Sequence, residues 1–189
     1  MKRIFAVLAT VAVISLGVTG CVVGLGDETV AQTDGGSATT SSFDHNDIMF
    51  AQMMIPHHTQ AVELATLALA NTTTPAILDL AGRIAAAQQP EIDLMTSWVE
   101  SSGMSMDMGS DMTMPGLVSD SDMEIIRAAM GTDFDALFLT DMIAHHEGAI
   151  VMAKDVLATT KNAEVTALAN SIITSQSAEI QEMYALLGP

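Results

Sequence analysis

The 189-residue chain has a single cysteine, Cys21, so no intramolecular disulfide can brace it. Positive charge is nearly as scarce: six Lys and Arg stand against 23 Asp and Glu, a formal charge of −17. Such a surface repels phosphate, which argues against nucleic acid as a partner, and it draws cations from a distance. Aromatic residues make up 4%, with one Trp and one Tyr. Sheets are usually built from alternating runs of aromatic and β-branched residues, so this scarcity argues against a β fold. The chain also lacks a Ser-His-Asp pattern, a glycine-rich phosphate loop and a Cys-x-x-Cys motif, which leaves hydrolase, nucleotide and thiol-redox chemistry without their residues. What remains is aliphatic: 49% of the residues are hydrophobic, enough for a core, and 15 of them are methionines.

The first residues read as an address. Lys2 and Arg3 precede an apolar run from Ile4 to Val18, shorter than the roughly 20 residues a membrane-spanning helix needs. Val18-Thr19-Gly20-Cys21 closes the run with small residues, the pattern of a bacterial lipoprotein signal cleaved before Cys21 and lipidated on its sulfur, with Val18 where the pattern favours Leu. An uncleaved anchor is the alternative. The expected division is a signal peptide over 1–20, a Gly/Ser/Thr-rich flexible tether over 21–42 and a helical domain over 43–189. The expected location is the outer face of the bacterial cytoplasmic membrane, or the periplasm, with the membrane engaged through the N-terminal lipid. A lipidated Cys21 leaves no free thiol, so any soft-metal ligand must be Met or His.

Residues 47–99 align without gaps on 135–187. Asp47 matches Asp135, Phe50 matches Phe138, Met54-Ile55 matches Met142-Ile143 and His57-His58 matches His145-His146. Farther along, Gln88 matches Gln176, Glu91-Ile92 matches Glu179-Ile180 and Met95 matches Met183. The spacing is too long for a solenoid repeat. Helical periodicity predicts helices over about 44–70, 75–99, 133–160 and 163–187, so each unit is a helical hairpin and two hairpins make an all-α four-helix bundle. Pro75 suits a helix start. Pro56 is expected to bend the first helix, and Pro90 to be capable of splitting the second. The linker 100–132 is Met-rich and ends in a short extra helix over about 120–130, capped by Ser119 or Ser121.

Four of the five histidines sit in two matched pairs. Adjacent helical residues diverge by about 100°, so one ring of each pair should enter the core while its neighbour faces a partner helix or solvent. Met54 shares a helix face with His57 and His58, as Met142 does with His145 and His146. Glu91 and Glu179 can orient a ligating imidazole or ligate directly. Thioether beside imidazole suits copper, above all Cu(I), more than iron, calcium or magnesium. Met104, Met106, Met108, Met112 and Met114 lie in a polar linker with no core to fill, where clustered sulfur suits the same ion. Against this, Met54, Met95, Met142 and Met183 can be core filler, the histidines can be structural partners of Glu91 and Glu179, and the Met-rich linker can be an oxidant sink. Asp47 and Asp135 read as helix caps. His45 has no counterpart in the second unit.

Three segments carry a family resemblance: His45-Asn46-Asp47-x-x-Phe50 with Met53-Met54-Ile55-Pro56-His57-His58, then Met114-Pro115-Gly116, then Phe134-Asp135 through His145-His146-Glu147-Gly148-Ala149. In these the chain resembles the bacterial DUF305 family over about 43–187. The resemblance implies an exported protein with a ferritin-like helical fold and, for some members, copper binding and tolerance. It supports Met54, His57, His58, Met142, His145 and His146 as ligands, with Asp141 replacing Met53 in the second unit. The leading expectation is an extracytoplasmic copper chaperone or buffer that binds Cu(I) or Cu(II), a role that requires no redox turnover. The alternatives are a dinuclear metallo-oxidase using His57, His145, Glu91 and Glu179, and a structural lipoprotein that binds no metal. A second copy of the chain or a copper-exchange protein remains open as a partner.

Overall fold

The computed structural model describes residues 42–106 and 114–188. Five helices follow in order: α1 (His45–Asn71), α2 (Pro75–Ser102), α3 (Asp120–Ala128), α4 (Gly131–Leu157) and α5 (Ala163–Leu187). No strand occurs among the described residues. α1 lies against α2 and α4 against α5, and the two hairpins meet chiefly through α1 and α4.

Local chemistry explains where four of the five helices start. The Asp44 side chain accepts from the Asp47 backbone N–H at 2.9 Å while Asp47 returns the bond at 3.0 Å, a reciprocal cap for α1. Pro75 occupies the first turn of α2, where a missing N–H costs nothing. Ser119, not Ser121, caps α3 by accepting from the Asp122 N–H. Asn162 caps α5 through the N–H groups of Glu164 and Val165. Asp135 does not cap α4. It accepts instead from the Thr74 hydroxyl at the head of α2 and so ties the two hairpins together. α4 ends at Leu157, a little before the periodicity predicted, because the N–H groups of Thr159 and Thr160 turn back onto the Val156 carbonyl.

Neither proline ends its helix: α1 runs through Pro56 and α2 through Pro90. Both prolines lie on exposed faces. At Pro90 the carbonyl deprived of its partner belongs to exposed Ala86, where water can satisfy it, so α2 does not split.

The core divides into two apolar clusters. One gathers Leu64, Leu80, Ile84, Met123, Ile126, Phe134, Phe138, Met142 and Met183. The other gathers Ile48, Phe50, Met54, Met95, Trp98, Met152 and Ile172. Ala61 and Ala149, each one turn beyond a histidine pair, are fully buried, and side chains this small let α1 and α4 approach closely.

The Met114–Gly116 turn packs onto that crossing. Gly116 takes φ 74°, and a Cβ there would lie 2.3 Å from the Ala144 carbonyl oxygen. A Cβ on Gly148 would lie 1.9 Å from the Pro115 carbonyl oxygen. Both contacts are backbone to backbone, so neither can be relieved by a side-chain rotation. Gly148→Ala should therefore displace the turn and destabilise the fold by about 1–3 kcal/mol. Gly82→Ala, on an open helical face with nothing within 4 Å, should instead gain up to about 1 kcal/mol. Urea unfolding of the two variants beside the parent checks both signs.

Candidate metal centre

The helical geometry sends the two rings of each pair in different directions, and all four histidines are fully buried. His57 of α1 and His145 of α4 turn toward each other, with ring centroids 3.7 Å apart and planes inclined by 35°. Their neighbours face the other helix of their own hairpin. His58 Nε2 lies 2.8 Å from Glu91 on α2, and His146 Nε2 lies 2.7 Å from Glu179 on α5. The same bond thus recurs at matched positions of the two hairpins.

The facing pair is bonded to backbone oxygen. His145 Nε2 donates to the His57 carbonyl at 2.9 Å, and His57 Nε2 donates to the Pro115 carbonyl at 3.0 Å. A carbonyl only accepts, so both Nε2 atoms carry hydrogen. A neutral ring then keeps its free lone pair on Nδ1. Glutamate acceptors place hydrogen on Nε2 of His58 and His146 in the same way. The Nδ1 atoms of His57, His58, His145 and His146 are buried and without a hydrogen-bond partner.

Charge follows from burial. Desolvation pushes His57 down from 6.5 to about 4, opposed in part by its bond to Pro115 and reinforced by His58 and His146. Desolvation holds His145 well below its ordinary value too, with His57, His146 and His58 adding to the effect. At neutral pH the facing pair is therefore uncharged, the form in which imidazole ligates metals.

The remaining predicted residues do not gather at one point. Met54 and Met142 are fully buried, but in different apolar clusters, beside Met95 and Met183 respectively. Core packing accounts for their place. Glu91 and Glu179 hold the outer histidines. Met104 and Met106 are 36% and 45% exposed, and Met114 is half-buried next to the turn that covers His57. Met108, Met112 and Cys21 lie outside the described residues. His45 is exposed and shares with Met104 a cavity of about 560 Å³ at the start of α1. Among the described residues, no three His, Cys, Asp or Glu side chains are grouped so as to hold a metal ion. A three-ligand site must therefore include thioether sulfur or a shift of the turn.

Sequence reasoning missed Pro115 and Gly148 as parts of this centre. The available signal was Gly148 standing where the first unit has Gln60. The small residue admits the Pro115 carbonyl, while the Gln60 side chain bonds both the N–H and the carbonyl of Val118, at 2.8 and 2.9 Å. The Met-rich segment is fastened to α1 on its other side as well, since Gln52 donates to the Ser105 carbonyl.

A family model, DUF305, a domain of unknown function, matches residues 47–187. The chain belongs to the DUF305 family. Among solved structures, a DUF305 protein from Streptomyces coelicolor is 30% identical, with 75% of this chain and 91% of that one covered at a TM-score of 0.71. A DUF305 fragment from Deinococcus radiodurans is 27% identical, covering 77% and 97% at 0.69. CopM in its Cu(I)-bound form is 34% identical, covering 72% and 91% at 0.61. CopM has also been solved in Cu(II)-bound and silver-bound forms. No curated protein matches the chain. Copper binding thus occurs in a protein that is 34% identical to this chain and similar to it in fold.

The buried neutral pair makes stability depend on pH. Because its folded pKa lies below the unfolded 6.5, His57 contributes stability that is complete above pH 6.5 and is lost as pH falls toward about 4. The loss is about 3 kcal/mol. A His57→Gln/His145→Gln variant should show a flatter decline between pH 7 and pH 4.5 in urea unfolding. An equally steep decline would show that other groups carry the dependence.

Proposed function

We propose that this protein binds copper outside the cytoplasm, as a buffer or a chaperone and not as an enzyme. The observation that carries the reading is the set of four buried imidazoles whose Nε2 atoms are all committed to oxygen and whose Nδ1 atoms have no hydrogen-bond partner. A buried polar atom without a partner costs about 1–3 kcal/mol, and a ligating bond would remove that cost. Copper does not have to displace a proton from His57 or His145 at neutral pH. Exposed Met104 and Met106 offer sulfur at one end of a segment whose other end, at Pro115, is bonded to His57 itself. Imidazole with thioether favours copper over hard cations. CopM, which is 34% identical in its Cu(I)-bound form and similar in fold, has been solved with Cu(I), Cu(II) and silver.

The dinuclear oxidase is less well supported. It needs Glu91 and Glu179 beside His57 and His145, yet both glutamates are bonded to His58 and His146. A second reading does have an observation in its favour. If the four histidines only pin the hairpins together, as the committed Nε2 atoms allow, copper is held by methionines alone.

Titration of the mature chain with Cu(I) and Cu(II), under competition from a chromophoric chelator, separates these readings. Tight binding should weaken at least tenfold in His57→Ala/His145→Ala. The stoichiometry should fall when Met104, Met106, Met108, Met112 and Met114 are changed to Leu. Loss in the Met variant alone selects the second reading, unchanged binding in both overturns these two sets of ligands, and a parent chain that binds no copper overturns the copper assignment.

Export and lipid anchoring belong to the same proposal. No helix among the described residues is long and apolar enough to cross a membrane. The description of the Streptomyces coelicolor relative proposes that it is secreted. Intact-mass analysis of the membrane fraction should show a chain beginning at a lipidated Cys21, and a Cys21→Ala variant should leave that fraction.

A further inference from the structure

The two hairpins do not treat their equivalent outer faces alike. At one end of the α1–α4 contact, α3 covers the face formed by Leu64, Ala68, Phe134 and Phe138, burying Met123 and Ile126 against it. Asn71 fixes the cover by donating to the carbonyls of Ile126, Arg127 and Ala129 at 3.3, 3.2 and 2.9 Å, and Arg127 pairs with Glu63. Exchanging the two units at the same offset of the ungapped alignment, carried one residue before its start, turns this face into Met152, Val156, Asn46 and Phe50. There the structure has an open cavity of about 260 Å³ between α1 and α4, and among the described residues no helix covers it.

The chemistry of that cavity differs from its covered counterpart. Met49, Met53, Met152 and Asp155 line it. The matched positions at the covered end are Leu137, Asp141, Leu64 and Leu67. Three thioethers and one carboxylate thus stand where the other end has three leucines and one aspartate. Met49 and Met53 are one helical turn apart and half-buried, Met152 is 5% exposed, and Asp155 is on the exposed rim. Met and Leu fill similar volumes, so core packing alone does not call for sulfur at all three places.

We propose that Met49, Met53 and Met152, with Asp155, form a histidine-free site for a soft monovalent cation, Cu(I) or Ag(I). Thioether sulfur ligates such ions in preference to hard divalent ones. Three neutral sulfurs and one carboxylate balance a single positive charge, so the partly desolvated ion leaves no net charge in an apolar groove. The flexible Met side chains can turn their sulfur inward without moving the backbone. This site rests on the reading of the protein as a copper binder and adds to it a place distinct from the buried imidazoles.

Ag(I), which is redox-silent, tests it on the full mature chain carrying 13C-methyl methionine. The expected result is a shift of the Met49, Met53 and Met152 methyl resonances with one equivalent of Ag(I), and loss of that equivalent in Met53→Leu/Met152→Leu. His57→Ala/His145→Ala should keep it. Circular dichroism shows whether the Leu variant stays folded, and the methyl shifts are read on the parent chain, so the test does not depend on the variant alone. If the parent binds Ag(I) while these three methyls stay unmoved, or if the Leu variant binds as many equivalents as the parent, this site is refuted and the imidazole reading stands. If the parent binds neither Ag(I) nor Cu(I), both are refuted.

Discussion

Two imidazoles lie face to face at the crossing of α1 and α4, and much of the fold is arranged so that they can be buried without charge. A histidine removed from water must either keep a proton at the cost of desolvating it or give the proton up and find partners for its ring nitrogens. Here the second course is taken. The N–H of His145 reaches the backbone of the opposite helix at the His57 carbonyl, which requires α1 and α4 to be close. Buried Ala61 and Ala149 permit that approach. The N–H of His57 has no helix backbone to bond, and it takes the carbonyl of Pro115, a turn that lies in the connection between the hairpins. Gly116 and Gly148 are what let the turn come near enough. Two buried rings thus account for a loop conformation, two glycines and the closeness of a helix pair.

The same requirement separates the inner histidines from the outer ones. His58 and His146 face glutamates that keep 17% and 13% of their side-chain surface, so each carboxylate retains contact with water while its partner is buried. His57 and His145 have only backbone carbonyls. A carboxylate in their place would bring a desolvated charge to the centre of the bundle, where it would be costly unless the ring protonated. The arrangement therefore favours neutral rings inside and hydrogen-bonded orientation outside. Orientation by a carboxylate on one ring nitrogen is also how proteins commonly present the other nitrogen to a metal.

Much of this was legible in the residue pattern, and the reasons for the exceptions are physical. Helical periodicity and the matched segments identified four long helices and the His-Glu partnerships, because a pattern of three and four residues reports one helix face directly. The separation of Met54 from Met142 was not legible. Sequence spacing says that each shares a face with its own histidines, but not that the two faces look into different clusters. Pro90 illustrates a second blind spot, since the cost of a proline depends on whether the freed carbonyl faces water, a tertiary fact. Asp135 illustrates a third: it looked like a cap for its own helix and is used by the hydroxyl of Thr74 across the bundle. The Pro115 bond escaped notice because backbone carbonyls carry no side-chain signature. Gly148 alone hinted that something had to come close.

The turn at Pro115 also bears on how a cation would reach the inner pair. It is the non-helical backbone bonded to His57, and it adjoins Met114 in the segment that begins with exposed Met104 and Met106. Replacing one carbonyl hydrogen bond costs on the order of 1 kcal/mol net, which is small beside the binding free energy of a micromolar ligand, about 8 kcal/mol. A cation that bound imidazole and thioether together could displace the turn at modest expense. A hard cation without affinity for sulfur would gain nothing from the Met-rich approach and would leave the turn closed. Selectivity can thus reside in the connection between the hairpins as much as in the histidines, since the connection both satisfies the resting ring and supplies the sulfur that competes for it.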